Sequence, residues 1–493
     1  EEELITSPFR EERTEMLHEA DSIEQLKQRL IELDRLRRDT LTKPLYEYYA
    51  TDEPIDINYY IFEKEKENYY EQQWRSEYMD IDIDTSAIKF PLIRIYETSF
   101  YNNYIANQID FNFLNQSYQA YSGGAPYFNP GFNMLTQIGI VDLFEDYKLT
   151  GGFRFAGNFD SNEYLVSLES LKGKFDKQLV FHRQALSSYN DTAYFKIHSH
   201  NLYLSYSRPI TPVLAIKGTV SYRNDRYVAL ATDISTLNGE AIHRHWAGLK
   251  SELVYDNTRK RGTNIYFGTR FKIFGEYYRD LQRNKSDMFV VGADFRHYLR
   301  IHRDLIWANR FAASSSFGPT KLLYYLGGVD NWLGFLSRDV EMFDQSVRVD
   351  PTANYGFHTL ATNMRGFSQN IRNGNNFALI NSEIRWPVIR YIAGRPLKSK
   401  ILNDFQIVVF GDLGTAWNGP DPWSGENKWD TEVIENGPVK VYLDTQREPI
   451  VGGFGAGLRA NLFGYFVRAD WAWGVENSII LPGIFYLSLS LDF

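Results

Sequence analysis

Leu214-Ala-Ile-Lys-Gly-Thr-Val-Ser-Tyr-Arg223 is the stretch whose reading decides the fold. Its even positions are apolar or glycine, and its odd positions include Lys217, Thr219, Ser221 and Arg223. Side chains that change face at every residue mark a β-strand with one apolar and one polar side. Ile265-Tyr-Phe-Gly-Thr-Arg-Phe-Lys-Ile273 repeats the pattern, with Arg270 and Lys272 on the polar face. Tyr465-Phe-Val-Arg-Ala-Asp-Trp-Ala-Trp473 sets Arg468 and Asp470 against Val467 and Trp471, and Phe485-Tyr-Leu-Ser-Leu-Ser-Leu-Asp-Phe493 alternates to its last residue. A soluble sandwich gives the same alternation. Three features favour a membrane barrel instead: segments longer than the 5–6 residues usual in soluble strands, whole arginines and lysines on the polar face, and no second apolar face for a sandwich to close.

Working outward, segments of this kind lie near 105–114, 132–143, 147–158, 162–171, 175–186, 192–207, 211–224, 242–256, 262–275, 286–299, 304–316, 376–388, 404–416, 449–460, 463–473 and 483–493. That is an even, antiparallel set of sixteen, as a transmembrane β-barrel requires. Asp225, Asn238-Gly239, Arg261-Gly262 and Asn284 read as turns between them. One connection, about 317–375, is far longer than the usual 2–6 residues, and connections of that length are normally functional.

Residues 1–99 do not share the pattern. Ser22–Arg38 places Ile23, Leu26, Leu30, Leu33 and Leu36 near one face of a helix that Ser22 could cap. Its mixed charges favour packing on its own protein over binding anionic lipid. The acidic, tyrosine-rich text that follows reads as an irregular connector. Its Asp80-Ile-Asp-Ile-Asp84 run lacks the spacing and glycine of a known calcium loop and reads as solvated. The chain opens on Glu1-Glu-Glu-Leu4 without a charged-then-apolar leader, the expectation for a mature or trimmed exported chain.

Composition agrees with a barrel. The mean hydropathy of −0.40 is too low for a helical membrane protein but suits strands that alternate. Aromatics are unusually many, with 34 Tyr, 34 Phe and 10 Trp; Tyr exceeds what burial needs, and Tyr and Trp favour membrane interfaces. The net charge of −9 gives no reason to expect nucleic acid, and the absence of cysteine excludes disulfides and thiolate metal sites.

The candidate site starts in the long connection, at Asn363-Met-Arg-Gly-Phe367. Two acids follow on the polar faces of predicted strands, Glu383 in Asn376–Pro387 and Asp412 in Ile407–Trp417. An arginine on a loop with two carboxylates on adjacent strands suggests an internal ionic latch. With these motifs in order, the chain resembles the BamA/TamA-type outer-membrane barrel superfamily, the bacterial surface antigen family. Met364-Arg-Gly-Phe367 is similar to its Val-Arg-Gly-Phe/Tyr motif on loop 6, and Phe410-Gly-Asp-Leu-Gly-Thr-Ala-Trp417 to its Phe-x-Asp-x-Gly-x-x-Trp strand. Gly452–Arg459 and the terminal Phe493 resemble its closing strands. Direct motif cover runs over about 317–493.

The resemblance implies that loop 6 folds into the lumen and that Arg365 bonds Asp412 with Glu383 nearby. It implies that Gly366 permits a tight turn and Phe367 packs beside it. Phe485, Leu487, Leu489, Leu491 and Phe493 would form the closing strand and assembly signal. A purely structural plug satisfies the same residues. Family insertases carry POTRA modules, which residues 1–99 do not resemble; the connector is closer to the subgroup with a TolB-like propeller before the barrel.

No catalytic set stands out, so an enzyme is not expected, and no cofactor is implied. His198/His200 and His243/His245 each share a strand face but lack a third metal ligand. The expected protein is an outer-membrane barrel with its N-terminus in the periplasm. It would insert or translocate polypeptide within a larger envelope assembly, among outer-membrane lipid including lipopolysaccharide and periplasmic or outer-membrane protein partners. A plugged barrel that anchors a periplasmic or surface complex is the alternative, and a porin is disfavoured by the long loop.

Overall fold

A computed structural model describes Gln28 and residues 98–489, apart from 111–114, 116–117, 122, 124–132, 157–160, 191–192, 231–238, 334–340, 362, 395–396, 428–430, 437–438 and 445–446. The chain divides into two units, Glu1–Ile95 and Tyr96–Phe493. Except for Gln28, which is helical, the expected helix over 22–38, the connector and Asp80–Asp84 lie outside the described residues, as do Leu491 and Phe493.

The second unit is almost all strand. It begins with β1 (Phe100–Asp110), β2 (Gln119–Ala120), β3 (Asn133–Asp142), β4 (Tyr147–Ala156), β5 (Glu163–Ser170), β6 (Asp176–Asn190), β7 (Ala193–Thr211), β8 (Leu214–Ala229) and β9 (Ile242–Asp256). There follow β10 (Arg259–Gly262), β11 (Ile265–Asp280), β12 (Met288–His302), β13 (Leu305–Phe317), β14 (Lys321–Leu326), β15 (Tyr355–Ala361), β16 (Arg372–Gly374) and β17 (Asn376–Trp386). After two short helices, α1 (Val388–Ala393) and α2 (Lys400–Asp404), come β18 (Gln406–Trp417), β19 (Thr431–Asn436), β20 (Val439–Asp444), β21 (Val451–Leu462), β22 (Tyr465–Glu476), β23 (Ile479–Ile480) and β24 (Ile484–Leu489).

Eighteen of these segments form one sheet in which each strand pairs antiparallel with its neighbours in the chain. One end of the sheet is closed by short turns, apart from the helical connection 387–405 between β17 and β18. Three of them, at Asn264, Arg303 and Phe463-Gly464, use the positive φ that two-residue hairpins require. The other end carries the longer connections. Among the described residues no ladder joins β1 to β24.

Register turns the alternation into two chemically different faces. On the outer face the cross-strand partners Ile140, Leu149, Leu168, Leu179, Leu204, Val220 and Leu249 run as an apolar row from β3 to β9. A second row, Phe271, Phe295, Phe311, Ile380 and Leu413, crosses β11 to β18. Most of these side chains are exposed, and soluble monomers rarely expose apolar patches beyond a few hundred Å². The inner face is polar and buried: Arg154, Glu163, His182, Asn201, Asp225, Arg385, Arg459 and Arg468 are among its least accessible residues. Among the described residues no helix is long and apolar enough to cross a membrane.

Three expectations need correction. Arg261-Gly262 is not the turn; it ends β10, and the turn falls at Thr263-Asn264 where the chain reverses into β11. Asp225 is not a turn residue; it sits inside β8, fully buried, where Arg223 pairs with it at 2.8 Å and Ser199 donates to it at 2.5 Å. Ion pairing along the inner face of β8 outweighs the local turn preference of an Asn-Asp dipeptide. Nor is the connection 318–375 only loop. It carries β14, β15 and β16, which with β2 form a separate four-stranded sheet, β14 and β15 parallel. β14 is buried on both sides, Leu322, Tyr324 and Leu326 in one apolar cluster and Leu323 and Tyr325 in another. This suits a parallel strand covered on both faces.

The main sheet curls around this smaller one. Phe357 of β15 packs on Trp246 and Tyr278, whereas Phe367 reaches the backbone of Gly474 in β22. The first long connection enters the same space: the Asn115 N–H donates to Glu163, the Tyr118 carbonyl accepts from Arg223, and Ala120 pairs with Phe357.

Candidate functional site

The long connection meets the inner face of the sheet at Arg365. β17 and β18 are adjacent and in register, with Asn381 opposite Asp412 and Glu383 opposite Phe410. Parity turns all four side chains inward. Arg365 donates from Nε to Asp412 Oδ2 at 2.6 Å and from Nη2 to Oδ1 at 2.7 Å, a bidentate pair. Its Nη1 donates to Glu383 Oε1 at 2.6 Å, and its backbone N–H to Asp412 Oδ2 at 3.2 Å. The guanidinium carbon Cζ lies 3.6 Å from the ring centroid of Phe410, a cation–π contact.

Each carboxylate has further partners. Glu383 accepts from Arg385 at 2.8 Å and from both Nη atoms of Arg459 at 2.8 and 3.0 Å. Asp412 accepts from Asn381 Nδ2 at 2.8 Å, and the same amide donates to the Asn363 carbonyl. Asp470 lies 3.5 Å from Arg468 and 3.8 Å from Arg365. Four arginines and three carboxylates thus form one buried network. Removing a member of such a network leaves an unpaired charge away from water, which is costly.

Glycine makes room for the loop tip. Gly366 has φ +94°, and a Cβ there would lie 2.5 Å from the Gly474 nitrogen. Gly453 offers the facing gap: a Cβ there would strike the Arg365 carbonyl. The inward positions of β21 are Val451, Gly453, Gly455, Gly457 and Arg459, a stripe nearly without side chains until its end. Tyr486 on β24 closes the arrangement. Its hydroxyl accepts from Gly366 N–H at 2.9 Å and donates to the Phe367 carbonyl at 2.8 Å. Phe367 packs with Met288, Val290, Leu322 and Met364.

The structure therefore brings together Arg365, Gly366, Phe367, Glu383 and Asp412. Phe485, Leu487 and Leu489 stand on the outward-facing alternate positions of β24, with Tyr486 and Ser488 buried between them. Sequence reasoning did not assign Arg385, Asn381, Phe410, Arg459, Asp470 or Tyr486 to the site. A usable signal was present: opposite charges two residues apart on one strand face recur at Arg223/Asp225, Asp294/Arg296, Glu383/Arg385 and Arg468/Asp470.

Elsewhere the inner face is open. A cavity of about 500 Å³ is lined by Ser205, Thr219, Ser221, Lys250, Glu252 and Glu276 among others. Lys250 bridges Glu276 at 3.0 Å and Glu252 at 3.3 Å. The rings of His243 and His245 stack at the start of β9, His245 bonding the exposed Tyr222. Among the described residues no three His, Asp or Glu side chains stand together as metal ligands.

No protein-family model and no curated protein matches the sequence. Solved structures do. BamA from Haemophilus ducreyi lacking POTRA domains 1–3 is 12% identical, with 79% of this chain covering 70% of that one at a TM-score of 0.46. CdiB from Acinetobacter baumannii is 14% identical over 73% of this chain and 57% of its own, TM-score 0.41. CdiB from Escherichia coli is 12% identical over 80% and 62%, TM-score 0.42. At these identities and scores the likenesses assign neither family nor activity.

Proposed function

We propose that this chain is a sixteen-stranded transmembrane β-barrel of the bacterial outer membrane, related to the BamA/TamA type, that inserts or translocates polypeptide. Sixteen ranks are supported by the eighteen sheet segments, since β10 continues β9 along β11 and β23 lies beside β24 along β22. The membrane reading is supported by the exposed apolar rows outside and the buried charges inside. A polar solute would meet the in-folded sheet, which disfavours a diffusion pore.

The observation that carries the activity is the unsealed seam. Neighbouring ranks of the main sheet are laddered from β1 round to β24, yet β1 and β24 are not laddered to each other among the described residues. A strand edge that no second strand of the sheet holds can template a further strand. The Arg365 network then acts as a tether that holds the in-folded connection while the seam works, with Phe485, Leu487 and Leu489 on the last strand beside it.

Cross-linking tests this. The chain has no cysteine, so Asn107→Cys with Leu489→Cys can be joined by an oxidant without side products. Locking the seam is expected to stop client insertion, and reduction to restore it. Full insertion and viability in the locked state would overturn lateral opening and leave the plugged anchor for an envelope complex.

A further inference from the structure

The edge of β24 turned away from β22 is not bare. Leu333 N–H donates to the Leu487 carbonyl at 2.8 Å, and Asn331 Nδ2 donates to the Leu489 carbonyl at 3.1 Å. Leu487 and Leu489 are two apart and face the same side of the strand. Between them Trp332 forms an antiparallel bridge with Ser488. A strand has two edges, and β22 holds one of them; residues 331–333 therefore hold the other.

Trp332 is 1% exposed, with its indole 4.9 Å from the Tyr486 ring and packed in a cluster with Val329, Val408, Phe410 and Ala472. Asn331 sits at φ +52°, and the turn before it uses Gly327 and Gly328 at φ +127° and +73°. Gly328 exchanges hydrogen bonds with the tether, accepting from Met364 N–H at 3.0 Å and donating to the Phe367 carbonyl at 3.2 Å. Asp330 N–H donates to Asn363 Oδ1 at 2.9 Å. The segment on the strand edge and the Arg365 tip are one hydrogen-bonded unit.

We infer that residues 330–333 are an own-chain cap, an edge strand in miniature that occupies the place where an incoming polypeptide strand pairs with β24. The inference rests on the seam reading above and adds the occupant: the resting seam is blocked by this chain, not open. Trp332 is the anchor, because its burial supplies most of the apolar contact of a segment with few hydrogen bonds. A partner suited to the edge is an extended chain that replaces two carbonyl contacts and fills or avoids the Trp332 pocket. Displacing the cap pulls on Gly328 and Asn363, so opening of the edge and movement of the tether are coupled.

The test uses the full chain in detergent or native membrane. Leu333→Cys with Leu487→Cys places thiols on facing residues, and oxidation is expected to join them in high yield; no cross-link overturns the cap. As a strand probe, a fluorescent peptide copying Tyr465–Trp473, the natural partner sequence of β24, is titrated. Trp332→Ala is expected to bind it about tenfold or more tightly than wild type, since removing an occupied competitor raises the competent fraction. The oxidised double-cysteine form should bind none, with binding restored by reduction. Equal binding by wild type and Trp332→Ala overturns the cap and leaves strand pairing standing. Faster amide exchange at 485–489 in Trp332→Ala without any peptide binding supports the cap and overturns strand pairing. Where Trp332→Ala fails to fold, Leu333→Pro, which removes the bonding N–H, takes its place with the same expectations.

Discussion

Where β17, β18, β21 and β22 face inward, strands of 11 to 12 residues enclose a buried charged network. Where β6 to β9 face inward, strands of 15 to 19 residues line a cavity of about 500 Å³ with hydroxyls, lysines and glutamates. Both walls obey the same alternation. They differ in what stands at the inward positions: Gly453, Gly455 and Gly457 on β21, against Lys217, Thr219, Ser221 and Arg223 on β8. A wall stripped of side chains admits another backbone, whereas a wall of medium-length polar side chains keeps a water-accessible space. Parity chooses the face; side-chain length chooses whether it is filled.

The sharpest way to break this comparison is Arg365→Ala. On the filled wall it strands Asp412 and Glu383, and a loss of about 3–5 kcal/mol is expected, read as a lower urea midpoint in detergent and lost heat resistance on gels. Wild-type resistance would show that the network is not what holds the wall. Gly366→Ala tests the glycine side of the contrast. Its φ of +94° and the 2.5 Å approach to Gly474 should together cost about 2 kcal/mol, and an unchanged midpoint would mean the tip has slack.

Between the walls, His358 of the in-folded sheet sharpens the picture through pH. Burial first, then the nearby charge of Arg223, pull its imidazole from 6.5 down to about 3. The unfolded chain therefore takes up the proton first on acidification. Stability contributed by the neutral ring is complete above pH 6.5 and is lost progressively down to about 3, at no more than about 1.4 kcal/mol per pH unit. His358→Phe should flatten that part of the stability–pH curve; an identical slope would remove His358 from the cause. The smallest effect belongs to the open wall. Lys272→Gln breaks a 3.8 Å pair of a half-exposed lysine with Glu252, and under about 1 kcal/mol is expected. A loss as large as that of Arg365→Ala would erase the distinction between the walls.

Much of this was legible in the sequence because period two is a local property. Glu383 and Asp412 fall on the inward face by counting alone, and Arg365 was singled out by its neighbours. What stayed hidden depends on contacts between distant segments. Lys321-Leu-Leu-Tyr-Tyr-Leu326 reads as an apolar run, but its role as a strand buried on both faces needs partners at 119–120, 355–361 and 372–374. Arg459 and Tyr486 join Arg365 across about a hundred residues of chain or more, a separation that no local pattern encodes. Asp225 was misread in part for the same reason: Arg223 pairs with it along β8, but Ser199, which also holds it, comes from β7.

The order of these parts along the chain has a consequence for assembly in time. Arg365 precedes every element of its seat: Glu383, Asp412, Gly453, Asp470, Gly474 and Tyr486 all come later. A chain growing or threading from its N-terminus can pair β2 with the in-folded segment early, but it cannot fasten the tip until the final strand arrives. Closure of the tether thus waits for Tyr486, which comes well over a hundred residues after Arg365, and a chain truncated before it carries an arginine with nowhere finished to dock.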